Sequence, residues 1–181
     1  MASGKLLGIC GSLRAGSYNR KLLREAARIY DPAEFVEADL HLPLYDGDLE
    51  EARGIPAAVQ ALADQISAAE AVVISGPEYN KGLSGVLKNA LDWVSRTKGS
   101  PWRDKPVAIM AATGGRAGGE RTQWTLRLCL LPFRPKLISG PEVLVGNCST
   151  QFDENGRLVN ERYEAALSEL MGELRKEVMR G

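Results

Sequence analysis

The chain holds one histidine, His41, and that scarcity removes several chemistries together. No Ser-His-Asp set can be assembled, and no cysteine has an activating partner nearby in the sequence, which points away from nucleophilic catalysis by side chains. Cysteine is sparse as well: Cys10, Cys129 and Cys148 are odd in number and lack C-x-x-C spacing, arguing against a disulfide framework and against a zinc site. An excess of either charge is missing too. Lys plus Arg and Asp plus Glu each total 23, so no net field draws a nucleic acid or an anionic membrane. Apolar runs are short. None approaches membrane-spanning length, and the run in the opening M-A-S-G-K-L-L-G-I-C-G-S is too brief for the apolar region of a signal peptide. The expectation is a protein of the reducing cytoplasm with a small-molecule ligand, without nucleic acid or membrane partners. The sequon Asn147-Cys148-Ser149 is then a chance match.

What is present is the pattern of an α/β domain. The 181 residues, 44% of them hydrophobic, suffice for one core, and no linker, repeat or low-complexity tract divides residues 1–181. Apolar runs at 6–10, 71–74 and 107–112 read as strands buried on both faces. A weaker strand at 35–40 alternates with acidic residues like a sheet edge, and pieces at 136–138 and 142–145 form a last strand interrupted at Gly140-Pro141. Between the strands lie helical faces. Leu22, Leu23, Ala26, Ala27 and Tyr30 form one, with Arg20, Lys21, Arg24, Glu25 and Arg28 expected towards solvent and Asp31-Pro32 as the stop. Val59, Leu62, Ala63 and Ile66 form a second, after Pro56 at a helix start. Leu83, Leu87, Leu91 and Val94 form a third, Trp124, Leu128 and Leu131 a fourth. A fifth, over 158–179, aligns Tyr163, Leu167, Leu170, Met171, Leu174 and Val178. Five strands alternating with five helices predict a flavodoxin-like parallel sheet of order 2-1-3-4-5, its ligand crevice beside strands 1 and 3. The long acidic loop 41–55 is expected to be a lid or an interface segment.

Three turns end strands on that crevice, at 11–19, 76–82 and 113–119. The first offers hydroxyls at Ser12 and Ser17, the Arg14 guanidinium, the Asn19 amide and the free N–H groups of a helix start, the components of a phosphate site. A Walker A loop fails, because Ser17-Tyr18 stand where Lys-Ser/Thr is needed after Gly16. A dinucleotide fingerprint fails on the spacing of Gly8 and Gly11, and a cysteine phosphatase loop fails because Gly16 replaces the arginine six places after Cys10. A monophosphate is the ligand group that fits. In the second turn Pro77 stiffens the chain, Gly82 is expected to supply an unusual φ, and Ser84 to cap the following helix.

Gly11-Ser12-Leu13-Arg14 with Ser17 and Asn19, followed by Pro77-Glu78-Tyr79-Asn80 and by Leu87-Lys88-Asn89-Ala90-Leu91-Asp92-Trp93, resembles the NADPH-dependent FMN reductase family, which includes bacterial chromate, quinone and azo reductases. The likeness covers both ligand turns and the strand order. It implies a flavodoxin-like fold holding FMN, with the phosphate at Ser12, Arg14, Ser17 and Asn19. It also implies that Gly16 and Tyr18 of the same turn contribute, that Pro77, Glu78, Tyr79 and Asn80 border the isoalloxazine, and that Thr113 closes the site. NADPH or NADH would be co-substrate, and quinones, chromate, azo compounds or free flavin the acceptors. One departure is Ser84, where relatives often have proline.

On this reading no side chain is catalytic, since the flavin N5 carries the hydride, and two electrons pass in a ping-pong cycle. Arg96 is by default a partner of a helix carboxyl end and is otherwise a substrate-side candidate. A flavodoxin-type electron carrier and a non-catalytic, flavin-stabilised interaction protein are the alternatives. A homodimer or homotetramer is expected, its interface including the helix at 83–96, with Trp93 as an exposed anchor.

Overall fold

The computed structural model describes residues 3–180. Parallel strands alternate with helices. β1 (Ser3–Cys10), α1 (Tyr18–Tyr30), β2 (Pro32–Glu37), α2 (Gly47–Arg53), α3 (Ala57–Ala68) and β3 (Ala71–Ser75) form the first half. A small hairpin of β4 (Glu78–Tyr79) and β5 (Gly82–Leu83) precedes α4 (Gly85–Val94), β6 (Pro106–Ala112), α5 (Glu120–Leu130), β7 (Lys136–Leu137), β8 (Val143–Val145) and α6 (Glu161–Arg180). The sheet runs β2-β1-β3-β6-β7, with β8 also on β6. β7 pairs with the start of β6 and β8 with its end, both parallel, so the two together serve as one last strand, and the flavodoxin-like order stands.

Alternation along each strand divides the core in two. Leu6, Cys10, Val73, Ala108 and Met110 face α1 and α6, whereas Leu7, Ile9, Val72, Ile74, Val107 and Ile109 face α3, α4 and α5. Each fully buried Leu or Ile contributes about 1.5–3 kcal/mol. The stripes expected on α1, α3 and α6 are the buried ones, Leu22, Leu23, Val59, Ile66, Leu167 and Leu174 among them. Asp31 ends α1 in the left-handed conformation, its N–H on the Ala27 carbonyl.

Several sequence expectations are corrected. Glu25 is buried, not solvent-facing: Arg157 Nη1 bonds its carboxylate at 2.8 Å, Arg28 Nε at 3.0 Å, and the Leu158 N–H also points at it. The edge strand begins at Pro32 and stops at Glu37, because its pairing to β1 runs from Ser3–Pro32 to Gly8–Glu37. The loop 41–55 contains α2, whose N-cap Asp46 accepts the Asp48 N–H. The last helix begins at Glu161, since Leu158 is spent on a bridge with Phe152. Gly82 has no positive φ; Asn80 and Lys81 carry it, at 50° and 67°. Trp93 is fully buried, because the 43–45 segment lies over it: its indole N–H donates to the Pro43 carbonyl at 2.8 Å and Tyr45 packs edge-on at 5.0 Å. The face of α5 is inverted. Thr122, Gln123, Leu126 and Leu130 point inward, while Trp124, Leu128 and Leu131 are 62–66% exposed.

Candidate functional site

The carboxyl ends of β1, β3 and β6 open on one cleft, and its walls are set by contacts with α4. Leu87 lies so close to the ends of β1 and β3 that a Cβ on Gly11 would stand 2.6 Å from its Cδ1, and one on Gly76 2.8 Å away. Glycine is required at both positions by this approach. Ser84 accepts the Leu87 N–H at 3.3 Å and donates its hydroxyl to the Gly11 carbonyl at 2.7 Å. Proline at 84 could make neither bond, so the serine here ties the first turn to α4.

Beyond Gly11 the chain turns so that the Arg14 N–H meets the Ser12 hydroxyl at 3.4 Å and the Ser17 N–H meets the Arg14 carbonyl at 3.1 Å. Ser17 is the N-cap of α1 but makes no side-chain cap bond, and the first turn of α1 has no acidic residue. Its hydroxyl accepts the Cys10 thiol at 3.9 Å, leaving the hydroxyl proton for a ligand. Asn19 is buried and makes three hydrogen bonds, which leave one Nδ2 proton over. Its Oδ1 accepts from the Ala112 N–H at 2.9 Å and the Ser75 hydroxyl at 3.0 Å, and its Nδ2 donates to the Ala112 carbonyl at 2.8 Å. This lashes the start of α1 to β3 and β6. Tyr18 stacks on Phe152 at 5.9 Å.

The opposite rim is formed by Pro77, Glu78 and half-exposed Tyr79. Glu78 brings a carboxylate to the cleft, yet that charge is held by α5: its Oε2 accepts the Arg121 N–H at 3.0 Å and Oε1 lies 3.5 Å from the Arg121 guanidinium. The floor is Ala112, Thr113, Gly114 and Cys148. Thr113 is fixed by its N–H to the Val145 carbonyl and by the Cys148 N–H to its own carbonyl, both at 3.0 Å.

Of the residues expected at the site, Ser12, Arg14, Gly16, Ser17, Tyr18, Asn19, Pro77, Glu78, Tyr79 and Thr113 line this cleft together. Asn80 does not; it sits at the hairpin tip. Cys148 was not foreseen, and no local signal marks it, because a backbone bond to Thr113 brings it there. Arg96 is also away from the lining. It pairs with Glu50 at 2.9 Å, an arrangement that raises the arginine pKa and lowers that of the carboxylate. His41 is an exposed loop residue whose Nδ1 meets Asp39 at 2.6 Å.

The electrostatics suit a phosphate monoester. Burial pushes the Cys10 and Cys148 thiols up, so neither places a thiolate beside the cleft at neutral pH. Hydroxyl donors at Ser12 and Ser17, the exposed Arg14 and the positive end of α1 converge there, while the Glu78 carboxylate is committed to α5. Among the described residues there is no cluster of His, Cys, Asp or Glu fit for a metal ion, and no helix is long and apolar enough to cross a membrane.

Comparison with known proteins shows the family. The profile of the NADPH-dependent FMN reductase family matches residues 4–150. An NAD(P)H-dependent FMN reductase of Pseudomonas aeruginosa is 40% identical over 178 residues, covering 97% of this chain and 96% of the relative. A quinone reductase of Escherichia coli K12 is 37% identical over 174 residues, covering 94% and 91%. Among solved structures, the flavoenzyme NAD(P)H:(acceptor) oxidoreductase FerB from Paracoccus denitrificans superposes with a TM-score of 0.86 at 27% identity, covering 97% of each chain.

Proposed function

The chain belongs to the NADPH-dependent FMN reductase family, and from that premise, which makes it an oxidoreductase working with FMN and NAD(P)H, we propose that it passes electrons in pairs to quinones. Chromate, azo compounds and free flavin are further acceptors in this reading. The observation that carries it is the donor set at the start of α1, facing a rim of Pro77 and Tyr79 across one cleft. Residues 1–181 act as one flavin-binding domain. Ser12, Arg14, Ser17, Asn19 and the first N–H groups of α1 hold the phosphate, with Gly16 and Tyr18 beside them. Pro77, Glu78 and Tyr79 border the ring, and Thr113 supports it from the floor.

When bound, FMN supplies the hydride chemistry that no side chain here supplies. The protein's part is to bind, orient and exclude. The Arg14 guanidinium and the α1 dipole stabilise the phosphate, and the neutral thiols and the tethered Glu78 keep negative charge from it. Tyr79 and Gly114 line the same cleft that would hold the flavin, so co-substrate and acceptor would reach it through one opening and take turns, which is ping-pong behaviour. The decisive experiment is steady-state oxidation of NADPH and NADH with a quinone at several fixed concentrations. Parallel double-reciprocal lines are expected. Intersecting lines would remove the alternating mechanism, and absence of turnover with FMN bound would favour an electron carrier.

A homo-oligomer, dimer or tetramer, is part of the proposal, with its support moved from Trp93 to α5. Trp124, Leu128 and Leu131 recur at i, i+4 and i+7 with their side chains in solvent, the pattern of an unfilled interface. Trp124→Glu is expected to lower the mass found by sedimentation at micromolar concentration; a wild-type monomer overturns it. The free thiols support a reducing cytoplasmic location.

A further inference from the structure

The ring-side hairpin should not be stable by itself. β4 and β5 are two residues each, paired only at Glu78–Leu83 and Tyr79–Gly82, and they belong to no larger sheet. Isolated two-stranded hairpins are marginal in water. The turn between them adds strain, for Asn80 and Lys81 both have positive φ, which asparagine tolerates and lysine resists. Something outside the hairpin must therefore hold it.

Three contacts do so, and all come from the first turns of α5. The buried Thr122 hydroxyl donates to the Pro77 carbonyl at 3.1 Å. The Thr125 hydroxyl accepts the Leu83 N–H at 2.9 Å while donating back to the Arg121 carbonyl at 2.9 Å. Between them, the Glu78 carboxylate takes the Arg121 N–H. That last contact serves α5 in return. Gly119 stands at the N-cap without a side chain to offer, so Glu78 satisfies a helix N–H from across the gap and meets the positive end of the dipole. The hairpin is thus fastened at its entry, in its first strand and in its second.

We propose that the amino-terminal turns of α5 are the mooring of the ring-side hairpin, and that Thr122 and Thr125 are positioning residues for the flavin ring, acting through Pro77 and Leu83. The proposal rests on the reading that Pro77, Glu78 and Tyr79 border the ring, and it adds residues that touch neither cofactor nor substrate. Its signature is selective. A phosphate-site defect spares riboflavin, which has no phosphate, whereas a loosened hairpin weakens FMN and riboflavin alike.

The test uses the full chain as apoprotein and as FMN holoprotein, with Thr122→Val and Thr125→Val as near-isosteric losses and Thr122→Ser as the variant that keeps the hydroxyl. Each valine variant is expected to bind FMN and riboflavin roughly three- to tenfold more weakly, by the same factor for both, as loss of one hydrogen bond implies. Amide exchange over residues 78–83 should be faster, and Thr122→Ser should match wild type on both counts. If FMN slows exchange at 78–83 in wild type but both valine variants keep wild-type affinity and exchange, the mooring is overturned while the site reading survives. If FMN leaves exchange at 78–83 unchanged in wild type, the site reading itself is overturned, and the mooring loses its link to the flavin.

Discussion

At residues 11–17 hydrogen-bonding capacity is left unspent, whereas at residues 77–83 polar groups at the entry and in both strands are committed to α5. The first turn keeps the Ser12 and Ser17 hydroxyl protons, the Arg14 guanidinium and uncapped N–H groups of α1 facing the cleft. The second gives the Pro77 carbonyl to Thr122, the Glu78 carboxylate to Arg121 and the Leu83 N–H to Thr125. On the proposed assignment, a charged group would be bound by donors left unspent, and a flat ring by a surface tied to α5. The two turns therefore respond differently to mutation: one loses affinity for charge, the other loses shape.

That contrast is open to direct attack, starting with the strongest effect. Arg14→Ala is expected to weaken FMN by about 1.5–3 kcal/mol, the range for hydrogen bonds to charged groups. Riboflavin affinity should stay put, as fluorescence titration of both will report; an equal loss for both would remove Arg14 from the phosphate. Next, Gly11→Ala forces a methyl against Leu87 and is expected to cost about 1–3 kcal/mol of stability. Gly82→Ala meets open space without positive φ and should change it by no more than about 0.5 kcal/mol. Urea midpoints of the two variants compare them, and a larger loss at 82 would mean the hairpin is built otherwise. An effect of opposite sign belongs to Lys81→Gly, which relieves a left-handed lysine and should gain up to about 1 kcal/mol.

Acid gives the subtlest separation. Burial would raise the Glu25 pKa, but the hydrogen bonds from Arg28 and Arg157 outweigh it and the net shift is downward from about 4.5. A carboxyl with a depressed folded pKa contributes stability that is complete above its ordinary value and lost as pH falls through the folded one. Thermal stability should therefore decline below about pH 4.5, and Glu25→Gln should flatten that decline. The same slope in both proteins would discount the Glu25 cluster, and with it the tie that fastens α1 to residues 157–158.

What could be read from sequence follows the same division. The turn at 11–19 declares itself as a candidate phosphate site because its side chains carry the chemistry and lie within nine residues of one another, and they do line one cleft. The sheet order was legible because buried parallel strands are continuous apolar runs. The mooring was not, because Thr122 and Thr125 look like ordinary helix residues until Pro77 and Leu83 are beside them. Lys81 in a left-handed turn has no sequence signal either, and Gly82 next to it misdirects. Trp93 and the face of α5 were misread for a shared reason. Periodicity finds an apolar stripe but not the direction it faces: loop 43–45 covers one indole, while α5 turns Thr122 and Gln123 inward to meet carbonyls of residues 77 and 143. Glu25 was misplaced because its partner Arg157 is 132 positions away.

Leu87 and Ser84 of α4 touch the ends of both β1 and β3, so one helix works as a caliper on the opening between the turns. On the proposed assignment, the spacing from phosphate seat to ring rim is then set by α4 at the strand ends, with α5 holding the hairpin beyond them. Exposed positions nearby, such as Arg116, would then be able to change charge over evolutionary time and alter which acceptors enter, while the proposed cofactor footprint keeps its dimensions.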